Sequence, residues 1–129
     1  TAEIVAASVQ DLFGPDCENA YHRLLDLGED ALPFLEVALQ LDTNLHIRPT
    51  LVELVWQTRS SDAFPMLARC LQDNDPHVWK AALDGLVTLG GGVALTLLDE
   101  SRSRSSSDKL PWIEVAIEQV KEQMADGSA

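Results

Sequence analysis

Hydrophobic residues recur along most of this chain at intervals of three and four, the spacing of one face of an α-helix. The stretch 45–58 shows this best, with Ile47, Leu51, Leu54 and Val55 at positions i, i+4, i+7 and i+8. Strict alternation of apolar and polar residues, which would indicate β-strands, does not occur. The pattern therefore predicts an all-α fold.

Capping and helix-breaking residues divide the pattern into eight predicted helices. Aspartates at 16, 30, 62 and 75 stand where N-cap side chains are favoured, and glycines at 28 and 90–92 stand where helices end. The predicted helices cover about residues 2–13, 16–27, 31–41, 45–58, 75–89, 93–100 and 110–125, with one more beginning at Asp62. The first has its apolar side at Ile4, Val5, Ala7, Val9 and Leu12. The serine-rich segment 101–107 predicts a mobile loop.

The chain also repeats itself with a period of about 31 residues. The segment 73–78 echoes 42–47 at that distance, and Leu89-Gly90 echoes Leu27-Gly28 at twice the distance. The segment 31–35 returns one residue out of step as 63–67. Helical spacing inside such a period predicts stacked helix pairs whose apolar faces cover one another. The expected fold is an α-α superhelix of about four antiparallel helix pairs, forming a single domain over residues 1–129.

These repeated residues resemble the HEAT repeat, in the short bacterial form of phycobilisome-lyase-like proteins. The resemblance rests on Leu27-Gly28, Ala31-Leu32-Pro33, Leu35, Ile47-Arg48, Asp75-Pro76, Val78, Ala82 and Leu86, and it covers residues 16–100. It implies a short solenoid in which the second helix of each pair lines a concave side where partners bind. The family implied includes scaffolds, accessory subunits, pigment-lyase partners and toxin-neutralising immunity proteins. The chain departs from the pattern at Trp79, where an arginine is usual, and at Trp56, where a small residue is usual.

The charge of the chain narrows the class of partner. Its formal net charge is -12, from 21 acidic residues against 9 lysines and arginines. Such a surface repels phosphate backbones and anionic lipid, so we expect neither a nucleic-acid partner nor a membrane partner. It attracts cationic proteins, although the same charge would also serve solubility alone.

Two further features bear on the compartment and the assembly. The 2 cysteines, Cys17 and Cys70, follow no CxxC spacing and flank apolar positions, so both are expected to be small buried thiols in a reducing compartment. The chain has no apolar run long enough for a membrane span, and Thr1 to Phe13 does not resemble a secretory signal. These features predict a cytoplasmic protein. Polar residues on the first and last helices indicate a complete module, and a monomer is favoured.

Acidic residues recur at equivalent solvent-facing positions of the second helices. Lys80, Asp84 and Thr88 of the sixth predicted helix have counterparts one period earlier, two periods earlier, and again in the last helix. The twelve positions hold seven carboxylates, which we call the acidic stripe: Glu18, Asp26, Glu53, Asp84, Glu114, Glu118 and Glu122. Helices packed about 8–10 Å apart place such charges about one Debye length from each other, so they would act jointly on an approaching cation. An ordinary solvated helix face would show the same composition.

Tryptophans are the other candidate binding residues. Trp56 and Trp79 depart from the repeat pattern, and aromatic anchors surrounded by charge are typical of binding hot spots. Tryptophan in a short helical array can equally fill the core. Trp112, directly after Pro111, is expected to attach the last helix to the stack.

The residues needed for catalysis or metal binding are not in recognisable patterns. The sequence contains no zinc-protease, P-loop, dinucleotide-binding or nucleophile-elbow motif. Gly90-Gly91-Gly92 lacks the lysine of a phosphate loop and predicts a helix end with a tight turn. His46 and His77 are one period apart, too far to share a metal ion, and are interpreted with His22 as polar helix residues. We therefore expect no enzyme activity, no cofactor and no metal.

Two classes of function fit these observations. The first is a protein-interaction module whose acidic concave face binds a basic protein, for example an immunity protein that covers the active site of a toxin. The second is an accessory or chaperone subunit of an enzyme, comparable to bilin-lyase assembly factors. Arrays of the second class are usually longer, which favours the first.

Overall fold

A computed structural model describes residues 2–11, 15, 17–41 and 47–127 of the chain. Within these ranges the fold is all-helical, and no β-strand is present. The helices are α1 (Ala2–Asp11), α2 (Cys17–Leu27), α3 (Leu32–Leu41), α4 (Arg48–Gln57), α5 (Ala63–Cys70), α6 (Pro76–Leu89), α7 (Gly91–Arg102) and α8 (Leu110–Gly127), with a 3₁₀ turn over Gly28–Ala31. None of the helices described is both long and apolar enough to cross a bilayer.

Helices that follow one another along the chain are in contact. These contacts include α1 with α2, α3 with α4, α5 with α6 and α7 with α8, and also α4 with α5 and α6 with α7. The second helices also pack in sequence, α2 on α4, α4 on α6 and α6 on α8, while α1 contacts α3 and α5 contacts α7. The even-numbered helices therefore form one layer in which neighbours along the chain are neighbours in space.

Burial follows the same period as the sequence. In α4 and α6, residues one period apart are buried together, as Leu51 with Ala82 and Val55 with Leu86. The first helices match in the same way, with Ala31 and Ala63 fully buried and Leu35 and Leu67 each 1% exposed. In α8, Ala116 and Val120 are the buried counterparts of Ala82 and Leu86. The apolar face predicted for α4 is therefore confirmed.

Several predicted helix boundaries are displaced. The cap predicted at Asp30 for α3 is wrong, because this residue lies inside the 3₁₀ turn that follows α2. Asp62 does precede α5, although its side chain makes no capping hydrogen bond. Asp75 does cap α6, because its carboxylate accepts a hydrogen bond from the backbone N–H of His77 at 3.0 Å. The predicted cap at Asp16 lies outside the described residues.

The connections on either side of α7 are shorter than expected. The tight turn predicted at these glycines is confirmed at Gly90 and Gly91, whose φ angles are 64° and 82°, but α7 begins at Gly91, so the turn is shorter than expected and Gly92 is helical. At its other end α7 continues to Arg102, into the segment predicted as a loop. Ser101 is buried there. Its hydroxyl donates a hydrogen bond to the Leu97 carbonyl at 2.8 Å, so the buried hydroxyl is not left without a partner. The non-helical connection is residues 103–109.

The predictions for α1 and for the cysteines are partly wrong. Ile4 is 52% exposed and Ala7 is exposed, so the prediction is wrong for these two residues, while the neighbouring Ser8 is buried. The side chains of Val5, Val9 and Leu12 lie outside those described. Cys17 is exposed at the start of α2, and Cys70 is half-buried at the end of α5.

Candidate functional site

All seven carboxylates of the acidic stripe are exposed, and they lie on the four helices that pack in sequence. Glu18 and Asp26 are on α2, Glu53 on α4 and Asp84 on α6, and α8 carries the other three. Among the ion pairs of the described residues, one stripe carboxylate takes part, Glu118, whose Oε1 lies 3.8 Å from Nζ of Lys121. Among the described residues, most of the negative charge of the stripe is therefore not paired with a cation.

Where α2 meets α4, the stripe is held by a small hydrogen-bond network. The Tyr21 hydroxyl on α2 donates to Oε1 of Glu53 at 2.8 Å, and the Gln57 amide donates to the Tyr21 hydroxyl at 3.0 Å. Burial, reinforced by the hydrogen bond and the charge of Glu53, raises the pKa of Tyr21 to about 12. The phenol therefore stays protonated at neutral pH and fixes Glu53 in place.

Where α6 meets α8, the one lysine among the twelve aligned positions contacts an aromatic pair. Nζ of Lys80 lies 4.3 Å from the ring centroid of Trp112 and 5.5 Å from that of Trp79. The two indoles meet edge to face with centroids 6.0 Å apart, a favourable geometry for their quadrupoles. The expected attachment of α8 to the stack through Trp112 is confirmed by this contact.

The structure separates the three tryptophans by exposure. Trp79 is only 3% exposed, so it belongs to the core, and the interpretation of its side chain as a surface anchor is wrong. Its burial follows from its neighbours, since α8 and the segment before it supply Trp112 and Lys109 to cover the indole. Trp112 is 51% exposed and is the large aromatic side chain that the described surface offers to a partner.

Trp56 is partly buried because it packs against α6. An ideal Cβ built on Gly85 would lie 2.6 Å from Cδ1 of Trp56, so the indole occupies the space that a side chain at Gly85 would need. Trp56 contributes mainly to the contact between α4 and α6 and only in part to the surface. The sequence pattern gives no role to Gly85, a glycine in the interior of a helix.

A buried lysine, which the sequence gives no reason to single out, joins the third and fourth helix pairs. Lys109 is 8% exposed, and its ammonium donates to the backbone carbonyls of Leu71 at 2.9 Å and Asp73 at 2.8 Å. Leu71 is the C-cap residue of α5, where a helix presents unpaired carbonyls and a partial negative charge. Lys109, in the segment that precedes α8, thus provides hydrogen-bond donors for the carbonyls at the C-terminal end of α5.

The carboxylate of Asp73 completes this polar junction. It accepts two hydrogen bonds from the Arg48 guanidinium, the longer of 3.3 Å, and one from the backbone N–H of Asp75 at 2.9 Å. Burial alone would raise the pKa of Asp73, but the hydrogen bonds from Arg48 and Asp75 outweigh it, so the pKa lies below the ordinary value. Arg48 and Asp73 therefore form an ion pair that links the start of α4 to the segment after α5.

A groove of about 210 Å³ lies on the side of the odd-numbered helices, between α3 and α5. Its lining includes Arg48 and Arg69, which pair with Asp73 and Glu36 respectively, so the charges are balanced within the protein. Cys70 also lines it, and burial raises the pKa of that thiol to about 11. At neutral pH the thiol is protonated, the form that is a weak nucleophile.

The two described histidines, His22 and His77, belong to no metal-ligand set. His22 and His77 are not buried, and His46 lies outside the described residues. Nδ1 of His77 is 3.3 Å from the Asp75 carboxylate that caps α6, which ties this side chain to the helix start. Within the described ranges, no group of three histidine, cysteine or carboxylate side chains is arranged as a metal site.

Comparisons of the chain with protein-family models, with curated proteins and with solved structures found no match. The candidate site therefore rests on the geometry of this chain alone: an exposed acidic stripe across α2, α4, α6 and α8, with the half-exposed indole of Trp112 at its α8 end.

Proposed function

We propose that this chain is a non-catalytic protein-interaction module, a short HEAT-like solenoid that binds a basic protein through the acidic stripe. The observation that carries the proposal is the exposure of all seven stripe carboxylates on helices that pack in sequence, with one of them ion-paired among the described residues. Unneutralised charges of one sign on adjacent helices add up to a field that attracts cations. An immunity protein that covers the cationic active site of a toxin is the most concrete form of this function.

The repeat architecture supports the proposal. Burial recurs with nearly the same period from one helix pair to the next, as expected of pairs stacked to give a continuous core. In such arrays the second helices form one surface, and here those helices carry the stripe. The Tyr21–Glu53 hydrogen bond and the Lys80–Trp112 contact tie neighbouring helices of this surface together, and the first of them holds Glu53 in place.

The test compares two sets of charge reversals with equal change in net charge. The first converts Glu53, Asp84 and Glu118 of the stripe to lysine. The matched control converts Glu3, Glu29 and Glu100, which are exposed on α1, the 3₁₀ turn and α7. Association with a fluorescein-labelled peptide of Arg-Gly-Ser units is followed by stopped flow at low and at physiological salt, after thermal melts confirm that each variant is folded.

If the stripe attracts the cationic ligand, its reversal should slow association by about tenfold or more at low salt. The control reversal should have a much smaller effect, and added salt should reduce the difference because it screens charges beyond about 8–10 Å. Equal rates for the two reversals would mean that net charge alone governs binding, and the stripe would then be an ordinary solvated surface.

A further inference from the structure

The exposed face of Trp112 already holds a cation of the protein itself. The ammonium of Lys80 lies 4.3 Å from the Trp112 centroid, within the distance at which a cation is attracted to an indole face. Among the ion pairs of the described residues, none includes Lys80. The indole, rather than a carboxylate, is therefore what holds the lysine in this place.

The indole is fixed before any partner arrives. Trp112 is 51% exposed, but its edge-to-face contact with Trp79, a core residue, sets the orientation of the ring. A rigid exposed aromatic side chain loses little conformational entropy when it is covered, which is why such residues dominate binding energy in interfaces. The site is thus preorganised for a planar or cationic group.

The surroundings of Trp112 select the chemistry of that group. Val115, one turn further along α8, is 58% exposed and offers an apolar surface for an aliphatic stem. An indole face beside an apolar surface matches the side chain of arginine, whose guanidinium stacks on aromatic rings and is weakly hydrated.

We propose that Lys80 is an internal occupant of a cation-binding site on Trp112, and that an arginine of the basic partner displaces it on binding. This inference rests on the proposed function and specifies the partner: it presents an arginine at the α8 end of the stripe. The displaced ammonium returns to water, where it is well solvated, so the exchange replaces a strongly hydrated cation on the ring by a weakly hydrated one.

The test removes the internal cation and uses a second lysine as its control. Lys80→Met keeps the apolar stem of the side chain, and Lys121→Met removes the same charge from an exposed position on α8. The affinity of each variant for the fluorescein-labelled Arg-Gly-Ser peptide is measured by anisotropy, with a Gln-Gly-Ser peptide as the uncharged control. We expect Lys80→Met to bind the arginine peptide about two- to fivefold more tightly than Lys121→Met does, the size of one exposed cation–π contact.

Substitution of the ring tests whether the gain comes from Trp112. In the Trp112→Leu background, Lys80→Met and Lys121→Met should bind the peptide equally. Trp112→Phe, which preserves a ring and the contact with Trp79, should retain part of the difference. If Lys80→Met and Lys121→Met bind alike in the presence of Trp112, Lys80 is not an internal occupant and the proposal is overturned.

The outcomes distinguish this inference from the function on which it rests. If the stripe reversal slows association but the two lysine variants bind alike, only the role of Lys80 fails. If the stripe reversal has no specific effect, the proposed function fails. Sedimentation velocity tests whether a second copy of the chain covers Trp112 instead. If the wild type self-associates and Trp112→Leu abolishes the association, the α8 face binds a second copy of the chain, and the arginine proposal is overturned.

Discussion

Gly85 leaves a gap on α6 that the indole of Trp56 on α4 fills. A Cβ at this position would lie 2.6 Å from Cδ1, 2.8 Å from Cγ and 2.9 Å from Cβ of Trp56. Real Cβ atoms do not approach so closely, and the third of these atoms is next to the backbone, so rotation of the ring alone cannot relieve the overlap. A glycine in the middle of a 14-residue helix is thus explained by close approach of its neighbour.

Replacing Gly85 by alanine should therefore destabilise the protein, by about 1–3 kcal/mol as in other overpacked cores. The sign is the informative part, since glycine to alanine inside a helix ordinarily gains about 0.5–1 kcal/mol. Gly92→Ala is the matched control, because Gly92 is helical in α7 and a Cβ added there would meet no atom within 4 Å. Urea denaturation of both variants gives the two free energies of unfolding.

A second substitution identifies Trp56 as the cause. Trp56→Leu removes the ring that overlaps with the new methyl group, so the combined variant Trp56→Leu/Gly85→Ala should lose less stability than the two single changes added together. Additive losses, or a stabilising effect of Gly85→Ala by itself, would show that the close approach does not govern this interface.

The periodic part of the fold could be predicted from the sequence, whereas this contact could not. Burial of Leu51, Val55 and Leu86 follows from helical spacing, because the apolar face of an amphipathic helix packs against the core. The close approach of Trp56 and Gly85 depends on how two particular helices fit together, and nothing in either local sequence records it. The sequence could not decide between the core and the surface for Trp79 for the same reason, because its burial depends on side chains in and before α8, far along the chain.

Lys109 should contribute to the free energy of unfolding, because it is buried and hydrogen-bonded. Lys109→Met keeps the buried stem but leaves the carbonyls of Leu71 and Asp73 without their donor, which should cost about 1–3 kcal/mol in unfolding free energy. Lys121→Met, at an exposed position with one 3.8 Å ion pair, should change it by about 0.5 kcal/mol or less. Equal effects of the two substitutions in chemical denaturation would contradict the capping role of Lys109.

The candidate site shows the same division between local and long-range information. Exposure of the stripe carboxylates could be predicted, because their spacing places them opposite the apolar face of each helix. The Tyr21–Glu53 hydrogen bond joins residues 32 positions apart, and the hydrogen bonds of Lys109 span 36 and 38 positions. Composition predicts a solvated loop before α8. It cannot indicate that Lys109 is buried through hydrogen bonds to two backbone carbonyls.

The Arg48–Asp73 pair should make stability depend on pH in the acid range. The pKa of Asp73 is lowered in the folded protein, so the folded state favours the carboxylate, and its contribution is present above the unfolded pKa of about 3.9. That contribution is lost as pH falls through the lower folded pKa. Asp73→Asn should therefore be less stable than the wild type at about pH 6, and the difference should shrink at about pH 3.

The matched test for this dependence removes the arginine. In an Arg48→Gln background, the folded protein no longer offers the guanidinium that favours ionised Asp73, so Asp73→Asn should produce a smaller change at either pH. Denaturant unfolding of the four proteins at both pH values gives the required free energies. A wild-type advantage over Asp73→Asn that stays constant between them would show that the pair does not couple ionisation to folding.

Tyr21 offers a direct readout of the junction between α2 and α4, because it is the only tyrosine of the chain. The absorbance of its phenolate should titrate with a pKa of about 12 in the folded protein, raised by burial and by the carboxylate of Glu53. Since a raised folded pKa favours the protonated form, the contribution of Tyr21 to stability is complete below about pH 10 and is lost as pH rises further.

The share of Glu53 in this raised pKa is tested by two variants of equal charge. Glu53→Gln removes the negative charge but leaves the burial, so the pKa of Tyr21 should fall while staying above the ordinary value of about 10. Glu118→Gln changes the net charge equally on α8, away from Tyr21, and should leave the titration of the phenol unchanged. Equal shifts in the two variants would mean that the overall charge, and not the hydrogen bond across α2 and α4, sets the pKa of Tyr21.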